Sequence, residues 1–217
     1  MKKILLTLLM VAFIAAPALA KDAPGNQFVT ELQNPNAQLD EIKLLDATTA
    51  RLEIVGSIDS LESKKIWRDF QVLKHKYPKV KKIVFLLSSW GGSGFDGVGL
   101  AELLKSIQRE GVVIEAHAVG KIASAAVPVF AVCKPRYATP GTVFMLHKAR
   151  IFKFLADEDV DNLKKQIKSM EILRCGYMQI LADNSNLTLK EVEAKIVAET
   201  WFTAQEAKAW GLVDEIK

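Results

Sequence analysis

The chain has 217 residues, 50% of them apolar and 25% charged, the composition of a globular domain, which excludes disordered and collagen-like chains. Twenty-nine basic against 25 acidic residues give a formal charge of +4, and without a clustered basic face this predicts no nucleic acid partner. Cys133 and Cys175 match no zinc or thioredoxin spacing, so the fold must rest on a packed core; whether the two pair in an oxidising compartment is left open.

Residues 1–20 have the form of a secretory signal: Lys2 and Lys3, an apolar run from Ile4 to Ala16, and the small-x-small Ala18-Leu19-Ala20. At about 1.5 Å per helical residue that run is too short for a hydrocarbon core of roughly 30 Å, so no permanent membrane anchor is expected. Cleavage would start the mature protein at Lys21 and place it in the periplasm or outside the cell. Residues 21–48 are polar, with Pro24, Gly25, Asn34, Pro35 and Asn36, and read as an N-terminal arm ahead of a domain over 49–217.

From there strands and helices alternate. Arg51 to Val55 reads as a strand, ended by Gly56; a helix capped by Asp59 or Ser60 runs to His75 and stops at Tyr77-Pro78. Lys82 to Leu87 is a buried strand, followed by the glycine-rich turn Ser88 to Gly94. A helix from Phe95 to Arg109 gathers Val98, Leu103, Leu104 and Ile107 on one face, with Gly111 past its end. Val112 to Val119 is a third strand. Ala123 to Cys133 is small and apolar all round, as a buried helix is, and Pro128 requires it to begin near Ser124 or Ala125. Thr142 to His147 is a fourth strand, Asp157 to Ala182 a long charged helix, and Thr188 to Val197 a helix opened by a capping box with Glu191. A helix from Thr203 to Trp210 ends at Gly211, and Leu212-Val213 closes a last strand. The alternation predicts one α/β domain with a mainly parallel sheet and right-handed crossovers.

Acyl transfer needs a nucleophile, a base, an orienter for the base and amides aimed at the oxyanion. Ser124 at a helix start supplies a hydroxyl, the Ala125 amide lies in a first turn without intrahelical partners, and the Gly91-Gly92 turn lets backbone approach a substrate carbonyl. Each feature also has a plain structural reading: a tight turn at Gly91-Gly92, an N-cap at Ser124, a hydrogen-bonded strand end at His147.

Together, Ser89-Trp90-Gly91-Gly92-Ser93, Gly120-Lys-Ile-Ala-Ser124-Ala-Ala, Arg136-Tyr-Ala-Thr-Pro, Phe144-Met-Leu-His147 and Trp201-Phe-Thr-Ala through Trp210-Gly-Leu-Val-Asp214 resemble the proteolytic subunit of the Clp protease and its wider family, over about residues 50–217. The resemblance implies the ClpP/crotonase-like fold and a serine endopeptidase without cofactor. Ser124 matches the nucleophile, His147 the general base, and Gly92 with Ala125 the oxyanion-hole amides. The third triad member of the family precedes its Phe-Leu-Ser-Ala-type segment, which puts Glu199 in that role. The resemblance also implies a homo-oligomer, with Phe152 to Ile180 as the ring-to-ring handle.

The sequence departs from the family pattern in three ways. Trp90 stands where proline usually precedes the paired glycines, Glu199 replaces aspartate, and the signal segment separates the protein from any cytosolic ATP-dependent unfoldase. The expected substrates are therefore peptides or already unfolded proteins. Related peptidases such as signal peptide peptidase A use a lysine base, which makes Lys121 and Lys148 alternatives to His147; in a strand, Lys148 and His147 would point to opposite faces. A catalytically inactive binding or assembly protein is the second reading and an acyl-CoA enzyme the third. His75 and His117 are expected to be a surface and a structural residue.

Overall fold

The computed structural model describes residues 42–151 and 159–217. The signal segment, nearly all of the N-terminal arm, Asp157 and the first part of the expected handle lie outside the described residues.

Three long parallel strands make the centre of the sheet: β2 (Thr49–Ile58), β3 (Lys82–Gly92) and β4 (Val113–Ala123). Their apolar side chains alternate, and alternation in a strand sends every second residue to one face. Ile54, Ile83, Phe85, Leu87, Ile114, Ala116 and Ala118 are buried together on the helix-covered side, with Leu52 facing Phe85 and Phe85 facing Ala116 in register. Short strands extend this centre. β1 (Lys43–Leu44) pairs antiparallel with β2, while β5 (Arg136–Ala138) and β8 (Glu215–Ile216) continue in parallel beyond β4. β6 (Val143–Met145) also pairs parallel with β4, further along it, and β7 (Trp201–Thr203) adds antiparallel to β6.

The helices begin where the sequence places caps. Asp59 accepts the Leu61 and Glu62 amides to start α1 (Ser60–Lys76), and Ser93 accepts from Asp96 to start α2 (Gly94–Arg109). α2 buries Leu100, Ala101, Leu104 and Ile107. α3 (Ala126–Ala131) is buried at every position and packs against α2 and the long α4 (Val160–Asp183). Capping boxes open both α5 (Leu189–Val197), with Thr188 and Glu191, and α6 (Ala204–Ala209), with Thr203 and Glu206. The result is the expected α/β fold with a mainly parallel sheet.

Several boundaries differ from expectation. β2 does not end at Gly56 but passes through it at φ +130, with a register shift between Val55 and Ser57, and continues to Ile58. The Ser88 to Gly92 stretch is the end of β3 rather than a free turn, because its paired glycines keep register with Ser57 and Ile58. β4 runs on to Ala123, which shortens the buried helix to Ala126–Ala131. The fourth strand stops at Met145, leaving His147 in extended chain beyond it, and the last strand is Glu215–Ile216, not Leu212-Val213. Cys133 is buried and Cys175 exposed, both free thiols, so they form no disulfide with each other.

Candidate active site

Ser124 lies between the end of β4 and the start of α3. It is one of two described non-glycine residues with positive φ, at 53°; the other is Glu199, at 51°. A left-handed conformation at a residue with a Cβ costs roughly 1–2 kcal/mol. At Ser124 it is held by hydrogen bonds on both sides. The Ser124 amide donates to Met145 O at 2.9 Å, and Ser124 O accepts from Val127 N at 3.0 Å and from the Tyr177 hydroxyl at 3.0 Å. The side chain caps nothing. Ala125 occupies the N-cap position of α3, and the Ser124 Oγ is 2.8 Å from His147 Nε2. The sequence-based N-cap reading of Ser124 is thus replaced by a side chain turned to the histidine.

His147 reaches that position because the chain beyond β6 is tied to the segment before β7: the Leu146 amide donates to Thr200 O at 2.9 Å, continuing the β6–β7 pairing. The same tie brings Glu199 alongside. Its carboxylate, however, accepts a hydrogen bond from Arg150 Nη2, and among the described residues no hydrogen bond joins Glu199 to His147. The Arg150 guanidinium, first by that bond and then by its charge, holds the Glu199 carboxyl below the usual carboxylate range; the charges of His147 and Lys148 act in the same direction.

Gly91 and Gly92 bring the end of β3 against this turn. A Cβ on Gly91, at φ +92, would stand 2.7 Å from Ser124 Cβ and 2.8 Å from Ala125 N. One on Gly92, at φ +154, would stand 2.2 Å from Ile58 O. Both close approaches require glycine. The Gly91 amide is taken by the buried Ser89 Oγ at 3.0 Å, while Ser93 N donates to Ile58 O at 2.9 Å and fixes the far side of the pair. Trp90 is 56% exposed and meets Trp201 edge-on at 6.0 Å between ring centroids, with Lys121 Nζ 4.9 Å above its ring. Lys121 is therefore engaged with an indole, not with Ser124. Lys148 differs from expectation: its segment is not a strand, and it lines the same cavity as His147.

That cavity holds about 600 Å³, with Ser124, Ala125 and His147 on its lining. Its walls are mainly apolar, from Leu173 and Tyr177 of α4 and Ile196 of α5, which suits an uncharged side chain. Arg174 and Glu193 are ion-paired on its lining. Burial pushes the Tyr177 phenol up and keeps it a donor. Burial likewise raises the Cys133 thiol to about 12, so it is no competing nucleophile.

Three residues of this site are not singled out by their own sequence context. Gly91 is visible only as one of a pair, Tyr177 is one aromatic in a charged helix, and Arg150 is one cation among many. Only tertiary packing brings them to Ser124 and Glu199.

A family model described as Clp protease matches residues 37–217. The ATP-dependent Clp protease proteolytic subunit 1 of Protochlamydia amoebophila is 26% identical over 185 residues, covering 84% of this chain and 87% of the relative. Subunit 3 of Streptomyces coelicolor is 25% identical over 212 residues, covering 95% and 92%. A proteolytic subunit of Bacteroides fragilis is 28% identical over 136 residues, covering 63% and 64%. With the match running through every described strand and helix, the chain belongs to the Clp protease family.

Proposed function

We propose that this member of a protease family is an active serine endopeptidase that cleaves peptides or unfolded proteins through an acyl-enzyme on Ser124. The observation that carries the reading is the 2.8 Å contact between Ser124 Oγ and His147 Nε2 at a left-handed turn facing a cavity. Neutral His147 with its proton on Nδ1 accepts the Ser124 hydroxyl proton as Oγ attacks the scissile carbonyl carbon. The Gly92 and Ala125 amides are assigned to the oxyanion. His147 then gives that proton to the leaving amine as the C–N bond breaks, and takes one from the water that hydrolyses the ester. Glu199 is assigned as the orienter of His147 once its carboxylate turns from Arg150.

The test is a fluorophosphonate probe on the full-length protein, read by mass spectrometry. Labelling at Ser124, lost in Ser124→Ala, supports the reading; equal labelling of both proteins overturns it. One observation favours a catalytically inactive oligomeric binding protein instead, the engagement of Glu199 by Arg150, and that reading predicts an unlabelled wild type.

We also propose export, supported by Lys2 and Lys3, the short apolar run and Ala18-Leu19-Ala20. Working outside the cytoplasm, the protein takes substrates that need no ATP-driven unfolding. N-terminal sequencing of native protein should begin at Lys21, and recovery only of a membrane-bound form beginning at Met1 overturns this.

A further inference from the structure

Glu199 has two basic neighbours on one stretch of chain. His147 and Arg150 lie three residues apart in the extended segment after β6, and the Leu146–Thr200 backbone bond holds that segment beside Glu199. The carboxylate is committed to Arg150. The backbone at Glu199 is left-handed, and the His147 charge is close enough to act on its carboxylate beside that of Arg150. Arg150 and Glu199 are 61% and 49% exposed, and an ion pair that open to water is worth about 1 kcal/mol or less, so a competing carboxylate can displace it. The displacing group has a route to the pair. Lys148, Ala149 and Ile151, on either side of Arg150, line the cavity that Ser124 and His147 also line, so a peptide bound there passes beside the segment that carries the guanidinium although Arg150 itself is not on the lining.

We infer that Arg150 is a specificity-determining positioning residue: it withholds Glu199 from His147 in the free enzyme, and a carboxylate on the substrate close to the scissile bond exchanges for Glu199 and lets the triad assemble. The chemistry recognised is an acidic side chain or terminal carboxylate, which offers the guanidinium the same two-oxygen partner that Glu199 gives it. No bond is made or broken in the exchange, and the number of ion pairs is conserved. With a neutral substrate Glu199 reaches His147 only after the Arg150 pair is broken, and that cost is added to the barrier. An acidic one is cleaved with the imidazolium stabilised by Glu199. The gain therefore falls on kcat and not only on KM. This inference rests on the serine peptidase reading.

The experiment uses internally quenched peptides in which Glu and Gln are exchanged at each of three positions on either side of the cleaved bond. Wild type should cleave the best Glu peptide with a kcat about three- to fivefold above its Gln twin, the most that releasing Glu199 from so exposed a pair can return. Arg150→Gln should raise kcat for the Gln peptide to the level of the Glu peptide and erase the difference. Adding Glu199→Gln to Arg150→Gln should remove that gain, which a purely structural role for Arg150 would not do. The inference is overturned if wild type shows equal kcat for every pair, or if Arg150→Gln leaves kcat for the Gln peptide unchanged or lower. Fluorophosphonate labelling of the wild type in the same preparation separates the two failures: labelling with either of those kinetic results overturns the role of Arg150 alone, and no labelling overturns the peptidase reading with it.

Discussion

A Cβ built on Gly91 would lie 2.8 Å from the backbone nitrogen of Ala125, so the end of β3 and the first amide after Ser124 are in contact with no room for a side chain. The close packing links the sheet to the Ser124 turn through backbone atoms, which cannot yield as a flexible side chain would.

Gly91→Ala should therefore cost stability by overpacking, roughly 1–3 kcal/mol, with added strain from φ +92, and should remove activity with it. Gly99→Ala is the control. It lies within α2 with nothing within 4 Å of the added methyl, and should be neutral or stabilising by up to about 1 kcal/mol. Chemical denaturation of both variants checks the contrast.

Ser124→Ala and Ser124→Gly should both be inactive yet differ in stability. Neither loses a helix cap, because the Ser124 side chain caps nothing and bonds His147. Glycine relieves the left-handed backbone that alanine keeps, so Ser124→Gly should be the more stable of the two by about 1 kcal/mol. Equal midpoints would show that the turn is unstrained.

Tyr177→Phe removes the hydroxyl that donates to Ser124 O at 3.0 Å. The expected loss is about 1 kcal/mol of stability. kcat should fall while KM for a short peptide holds, since the ring that lines the cavity is kept. Steady-state kinetics on one fluorogenic peptide separates the two constants.

Asp214 and Arg136 set an acid limit on the fold. Burial alone raises the Asp214 carboxyl, but hydrogen bonds from the Arg136 side chain and amide and the Arg136 charge outweigh it, and the net shift is downward. A depressed native pKa stabilises the fold above the ordinary carboxylate value, and that contribution is lost as pH falls through the native one. Arg136 is 3% exposed and also donates to Asn184 O, Gly211 O and Ala131 O. Asp214→Asn should cost roughly 2 kcal/mol at neutral pH, less than a fully buried pair because Asp214 is 41% exposed. As pH falls below the ordinary carboxylate value of about 4 the two thermal midpoints should begin to approach each other, and they should meet only below the depressed native value, where folded wild type protonates Asp214.

What could be read from the sequence is what local rules encode. Asp59, Thr188 and Thr203 mark helix starts because a short polar side chain followed by helical residues satisfies free amides, and the alternation in β3 marks a strand with one covered face. The two- and three-residue strands at Lys43, Arg136 and Trp201 were illegible: they are strands because a longer neighbour offers a ladder, not because of their own composition. At the site, the family resemblance carried by the ordered motifs implies that Ser124 and His147 meet, and they lie 2.8 Å apart. The partner of Glu199 could not be read in the same way, since the Leu146–Thr200 backbone pairing, and no local pattern, brings Arg150 to it.

The long helix α4 gives the enzyme two different kinds of freedom along its length. Leu173 is 6% exposed, presses on Gly94, and with Tyr177 belongs to the half of the helix that braces the Ser124 turn as well as walling the cavity. Ile167 and Met170, one to two turns earlier, line the same cavity, and Ile167 is 60% exposed. On the proposed function, diversification has a built-in direction: drift at Ile167 and Met170 should retune which side chains the cavity accepts while Ser124 keeps its geometry, whereas every change at Leu173 or Tyr177 is filtered first for the Ser124 turn. A library randomised at the earlier pair should retain many active members with altered preferences, and one randomised at the later pair very few.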